Sequence, residues 1–299
     1  MPESLNGGMK TAFVLAVTVL TTASKLAAAQ LATCLPPPML AVSNQAPFQL
    51  SLNVAGAPGI NYAIEQSDDF SKWTRIATNR SESGTVTFSH LISLAAPEQY
   101  FRALSVDSSD GLGGSFIFDG ETFAGWEGDT VETFRISDCA IVGGSFVRTF
   151  PQNRFLCTTQ RYTNFILRLD FKLVGTNGTV NSGVQFRSER VPGSQEVKGF
   201  QADIGEGYWG SLYDEARRGV VLAAANQNSV TAILRKNDWN QYLIKAEGPH
   251  LQFWVNGYQT IDYTETDAAI PRDGIIGLQV HAGGSSEASF RYISLEVLP

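Results

Sequence analysis

SGVQFRS (residues 182–188), GFQADIG (residues 199–205) and IGLQVH (residues 276–281) share one alternation of apolar and polar side chains. Successive side chains of a strand point to opposite faces of its sheet. Val184 and Phe186, then Phe200, Ala202 and Ile204, then Ile276, Leu278 and Val280 therefore fall on an apolar face. The opposite face receives Gln185 and Arg187, Gln201 and Asp203, and Gln279 and His281. An ordinary wet face carries Lys, Glu, Thr and Ser. This set of forked and bifunctional groups instead suits grasping hydroxyls and carbonyls from a rigid platform.

Working outward, FRISDCAIV (134–142), RFLCTT (154–159), FILRLDFKLV (165–174), NQYLIKAEG (240–248), LQFWVNG (251–257) and ASFRYISLEVL (288–298) also read as strands. Asn256-Gly257 marks a tight turn, and no stretch shows a 3.6-residue period. Two packed antiparallel sheets over residues 115–299 follow, of the size of a jelly roll. Upstream, FQLSLNV, NYAIEQS, KWTRIAT, TVTFSHL and QYFRALSV predict a smaller β-sandwich over residues 40–106, with the polar, glycine-rich residues 107–114 as the joint. The chain is all-β: charged residues make up only 17% of it, and its 28 glycines suit turns between strands.

A net charge of −7 offers no attraction to nucleic acid or anionic lipid. At the N-terminus, Lys10, the apolar run from residue 11 to 22 and the small residues Ala27-Ala28-Ala29 read as an export signal over residues 1–29. The run is too short to span a bilayer. A periplasmic or extracellular protein with no transmembrane segment is expected, with residues 30–39, containing Pro36-Pro37-Pro38, as a stiff linker. Three cysteines then allow one disulfide; Cys139 with Cys157 is the pair the strand arrangement favours, and two buried free thiols are the alternative.

The segment EGYWGSLYDEARRG (206–219) concentrates charge and aromatic surface directly after the GFQADIG strand. Tyr208, Trp209 and Tyr213 offer flat faces for a sugar ring, and Arg217 and Arg218 offer paired donors to oxygens. Glu206, Asp214 and Glu215 are equally placed to pair with those arginines. Such exposed pairs contribute only about 0–1 kcal/mol each, which favours a binding site over a structural cluster.

Two family resemblances bear on these residues. NYAIEQSDDFSKWTRIA followed by YFRA resembles fibronectin type III-like modules of exported bacterial enzymes, which implies a spacer or adhesion role. FIFDGETFAGWEG (116–128), YTNFILRLDFKL (162–173), NSGVQFRSE (181–189), GFQADIG with GSLYDE (210–215), WNQYLIKAEGPHLQFWVNG (239–257), and IIGLQVHAGG with FRYISLEVL resemble, in order, the 3-keto-disaccharide hydrolase family. That resemblance implies a concanavalin A-like jelly roll. Family members commonly carry a glutamate and, two residues later, a glutamine where this chain has Gln201 and Asp203; the carboxylate moves by two positions and stays on one face.

The resemblance implies a substrate already oxidised at C3 by a separate sugar 3-dehydrogenase. Its ketone acidifies the C2 hydrogen, so that a base removes it, the group on C1 leaves, and water adds back. The implied roles are Asp203 as base with His281 as second choice, Glu215 as proton donor, and Arg187 and Gln279 at the ketone. Gln185, Gln201, Tyr208, Trp209, Tyr213 and Arg217 complete the binding set. A divalent metal held by Asp203, Glu215 and His281 remains an open alternative, as do two-carboxylate glycoside hydrolysis and a non-catalytic, lectin-like sugar binder.

Overall fold

The computed structural model describes residues 39–46, 49–56, 60–81, 84–91, 99–106 and 115–299. The expected signal, nearly all of the first linker and the joint at 107–114 lie outside the described residues.

In the N-terminal part, β1 (Met39–Ala46), β2 (Gln49–Ala55), β3 (Ile60–Ser67), β4 (Thr74–Ser81), β5 (Thr85–Leu91) and β6 (Tyr100–Val106) form two three-stranded antiparallel sheets, β1-β2-β5 and β4-β3-β6. Alternate residues Leu50, Leu52 and Val54 meet Ile60, Tyr62, Ile64, Phe88 and Phe101 in a core of their own. Trp73 is half-buried beneath the Arg102 guanidinium, 4.3 Å from the ring centroid, which gives it a packing role. Phe116 and Tyr292 of the larger domain pack against this core.

The larger domain follows the strand reading closely. Its strands are β7 (Ser115–Phe116), β8 (Trp126–Glu127), β9 (Phe134–Ser137), β10 (Ala140–Gly144), β11 (Arg154–Thr158), β12 (Phe165–Gly178), β13 (Asn181–Arg190), β14 (Val197–Gly205), β15 (Leu212–Glu215) and β16 (Val221–Ala223). After the helix α1 (Gln227–Ile233) come β17 (Asn240–Glu247), β18 (His250–Val255), β19 (Tyr258–Thr264), β20 (Ile275–Val280) and β21 (Gly284–Val297). One sheet runs β19-β18-β17-β12-β21-β10-β9 with β7 beside β21, and the other runs β16-β15-β14-β13-β20-β11-β8. The domain is an all-β jelly-roll sandwich. Helix α1 escaped the sequence reading because Val230 is its one buried residue, too few for a periodic signal.

Apolar side chains from the inner faces of both sheets close the sandwich. Phe186 stacks on Phe200 at 5.6 Å and meets Phe253 edge-on at 5.7 Å, joining the sheets at their centre. The expected Cys139–Cys157 bond is not formed: Cys157 is a buried free thiol, and Cys139 is disulfide-bonded to a different partner. The two positions sit on different sheets, Cys157 on β11 of one and Cys139 in the β9–β10 turn of the other, and are not the antiparallel neighbours the sequence suggested.

Candidate functional site

Register places the polar residues in rows across the outer face of the β16–β8 sheet. Gln185 of β13 stands opposite Gln201 of β14, and Gln201 opposite Tyr213 of β15. Asp203 faces Gly183. A Cβ on Gly183 would lie 2.5 Å from Gln201 Cδ, so the missing side chain is what lets Gln201 lie flat across the sheet. The result is a chain of oriented donors. Ser188 Oγ donates to Gln185 Oε1 (2.8 Å), Gln185 Nε2 to Gln201 Oε1 (2.8 Å), and Gln201 Nε2 to Asp203 Oδ1 (2.6 Å). Each amide is fixed by the one before it, which presents Asp203 in one orientation.

Between Phe186 and Glu189 the β13–β14 register shifts, and Arg187 adopts φ 46° there. Such a bulge bends the strand. The hairpin tip beyond it lies across the face, over β20 and β11. Val197 packs with Phe155, Cys157 and Ile275, and Arg190 reaches Glu127 of β8, donating to Oε1 and to the backbone oxygen at 2.7 Å each. Glu196, just before β14, is thereby brought to Asn153 and His281. Glu215 of β15 accepts from Gln279 Nε2 of β20 at 3.2 Å.

Burial sets the electrostatics of this enclosure. It pushes the Asp203 carboxyl up to about 7; the Gln201 hydrogen bond opposes the rise and the neighbouring Glu215 adds to it. Glu215 is raised to about 7 by burial and by the charge of Glu196, against the hydrogen bond from Gln279. Glu196 is raised by burial, opposed by Asn153 and His281. Tyr213 is held protonated chiefly by burial, then by Glu215 and Asp203. Two carboxyls poised near neutrality on one face can serve as base and acid at the same pH. His281 turns Nδ1 to the backbone oxygen of Ala282 (2.8 Å).

Asp203, Glu215 and His281 do not gather as metal ligands: among the described residues no three His, Cys, Asp or Glu side chains stand close enough to hold an ion. The donor set does not fit a resident metal, and no step is assigned to one.

Several expected site residues are placed elsewhere. The bulge turns Arg187 off the polar face, and its guanidinium bonds the backbone oxygens of Thr163 (2.7 Å) and Gly248 (2.6 Å) and Asn164 Oδ1 (3.2 Å), closing the end of the sandwich. Trp209 is in the core, 8% exposed and stacked on Phe171 at 6.4 Å, because the tight turn after β14 curls it inward. It is not a wall of the cleft. Arg217 lies over Phe200 (4.4 Å to the ring centroid) and bonds Asp214; Arg218 bridges the fully buried Asp214 to Glu265 beyond β19, tying the sheets together. The arginines therefore pair structurally with Asp214, while Glu215, one residue on, points to the polar face. Tyr208 is exposed in the turn 206–211. Gln185, Gln201, Asp203, Gln279, Tyr213 and Glu215 share the outer face, with His281 at its end. Ser188, Asn153 and Glu196 were not anticipated; Glu196 gave no signal because it sits in a loop that a flat sheet would carry away from the face.

Residues 115–296 match the family model described as a 3-keto-alpha-glucoside-1,2-lyase-like domain. Among solved structures, a putative glycosyl hydrolase from Parabacteroides distasonis ATCC 8503 is similar at 16% identity over 65% of this chain and 98% of that one, with a TM-score of 0.49. A second putative glycosyl hydrolase from that organism has 23% identity over 62% and 99%, TM-score 0.47. A beta-glucanase from Bacillus licheniformis has 10% identity over 63% and 100%, TM-score 0.41. No curated protein matches.

Proposed function

We propose that this chain, which belongs to the 3-keto-alpha-glucoside-1,2-lyase-like family, cleaves the glycosidic bond of 3-keto-glucosides by elimination followed by hydration. The observation that carries the reading is the Ser188–Gln185–Gln201–Asp203 chain, which fixes a carboxyl poised near neutrality beside a second one, Glu215. Ionised Asp203 takes the C2 proton, and the electron pair flows into the C3 carbonyl as an enolate. Tyr213, protonated and opposite Gln201, donates to that oxygen. The enolate then re-forms the ketone, the C1–O bond breaks, and Glu215 gives its proton to the leaving oxygen. Water adds to C1 of the resulting enone, losing a proton to the Glu215 carboxylate. Asp203, having exchanged the abstracted proton with solvent while the leaving group departs, delivers a solvent-derived proton to C2, so both carboxyls end as they began.

On this reading a separate oxidising enzyme installs the ketone, the protein works outside the cytoplasm, and the N-terminal sandwich acts as a fibronectin type III-like spacer. Neither an ionised Arg187 nor a metal is needed. The test is incubation with methyl 3-keto-glucoside and with unoxidised methyl glucoside in deuterated water. The expected result is release of methanol from the ketone alone, with one deuterium at C2 of the product. Release without C2 deuterium would replace elimination by direct hydrolysis. Sugar binding without any release would reduce the protein to a lectin-like member.

A further inference from the structure

Two acceptor oxygens beside Glu215 are buried without a donor among the described residues: Gln279 Oε1, on a fully buried side chain, and Glu196 Oε2. Buried polar atoms are nearly always satisfied, and orphans that adjoin the carboxyls of the site are placed to take a partner from the substrate. Both adjoin Glu215. Gln279 spends its Nε2 on Glu215 Oε2, and that bond leaves its carbonyl oxygen free. Glu196 is the charge that most strongly opposes ionisation of Glu215.

Glu196 is also held in place. Its backbone oxygen accepts from Val191 N (3.0 Å), its N–H donates to Ser194 Oγ (3.0 Å), and its carboxyl is bonded by Asn153, whose Oδ1 accepts from Ala282 N (3.0 Å). The groups facing it are Glu215 from β15, His281 following β20 and Asn153 preceding β11.

Acceptors need donors. The ketone oxygen and the glycosidic oxygen of a 3-keto-glucoside have no hydrogen to give, so the partners of these two atoms are hydroxyls. Glu215 protonates the leaving oxygen in the reading above, and the orphan acceptors flank Glu215. The hydroxyls they meet therefore belong to the leaving group. We propose that Glu196 and Gln279 form a leaving-group subsite that reads hydroxyls of a second sugar, with Glu196, carried in on the folded hairpin, as its specificity-determining residue. The inference rests on the proposed function and adds which part of the substrate the hairpin side of the cleft recognises. A simple alkyl leaving group leaves both acceptors unsatisfied.

The test compares wild type with Glu196→Gln, which keeps shape and the Asn153 contact, and with Glu196→Ala. The substrates are a 3-keto-glucosyl-glucose and methyl 3-keto-glucoside, with circular dichroism confirming the fold. Wild type is expected to favour the disaccharide in kcat/KM by about 10- to 100-fold, the range of one or two hydrogen bonds to a charged or buried acceptor. Both variants are expected to lose that preference through KM for the disaccharide. A preference unchanged in both variants overturns the subsite while leaving the proposed function intact. If wild type turns over neither ketone, the proposed function fails, and calorimetric titration with maltose still reads the subsite. Binding about 10- to 100-fold weaker in Glu196→Ala supports it; equal affinities, or no binding to wild type, overturn it.

Discussion

Replacing Asp203 by asparagine separates what the carboxyl does for chemistry from what it costs the fold. The amide oxygen of the new side chain would still accept from Gln201 Nε2, so the amide chain survives and only the titrating proton is lost. Asp203 is 4% exposed, and its carboxyl is raised from an ordinary 3.8 to about 7 in the folded protein. A raised acid binds its proton more tightly folded than unfolded. Its penalty is therefore absent below about pH 4, grows as pH rises from there, and is complete above about pH 7. That difference, at about 1.36 kcal/mol per pH unit, gives about 4 kcal/mol in full, of which about 3 kcal/mol develops between pH 5 and pH 8.5. The variant carries no such penalty. Its stability relative to wild type is expected to improve by about 3 kcal/mol across that interval, or about 6–12 °C in melting temperature for a domain of this size. Denaturant titrations followed by tryptophan fluorescence at the two pH values measure it. In the same protein, turnover of 3-keto-glucoside is expected to fall by about 10²- to 10⁴-fold with binding little changed. Parallel stability curves for the two proteins at pH 5 and 8.5 would refute the buried, proton-holding Asp203. A matching collapse in His281→Ala with near-normal turnover in Asp203→Asn would move the base to histidine.

With Asp203 and Glu215 both raised to about 7, kcat/KM is expected to peak near neutrality and fall about tenfold per pH unit on either side, and Glu215→Gln should remove one limb; a flat profile from pH 5 to 9 contradicts the pair. Trp209→Ala is expected to destabilise the protein by about 3–5 kcal/mol in denaturant melts while sparing the affinity of whatever folded fraction remains, since the ring packs on Phe171 and not on the cleft. Arg187→Met should cost about 1–3 kcal/mol by stranding the Thr163 and Gly248 carbonyls, with kcat unchanged in the folded enzyme, as measured by melts and initial rates. Burial pushes the Cys157 thiol up to about 12, so iodoacetamide at pH 8 should label it only after unfolding; rapid labelling of native protein would contradict its place beneath Val197.

How far the sequence could be read depends on where the ladder stays regular. Gln185, Gln201, Asp203 and Gln279 lie on uninterrupted stretches of β13, β14 and β20, where a period of two assigns every face. Arg187 breaks the rule because a bulge inserts an extra residue, and FRSER contains no glycine or asparagine to announce one. Trp209 lies in a turn, where parity assigns nothing. The deeper loss is one of distance. Gln279 sits in the row of Asp203 and Glu215 in the row of Gly199, four residues along and three strands apart. On a flat sheet that separation is roughly 20 Å between Cα atoms, at about 3.4 Å per residue and about 4.8 Å per strand. Two side chains of ordinary reach cannot close it. Their 3.2 Å hydrogen bond therefore requires the sheet to bend, and a bulge, which bends the strand that carries it, lies between them at Arg187. The irregularity that defeats the sequence reading at one residue thus lies where an open polar face becomes an enclosure in which two carboxyls and Glu196 meet.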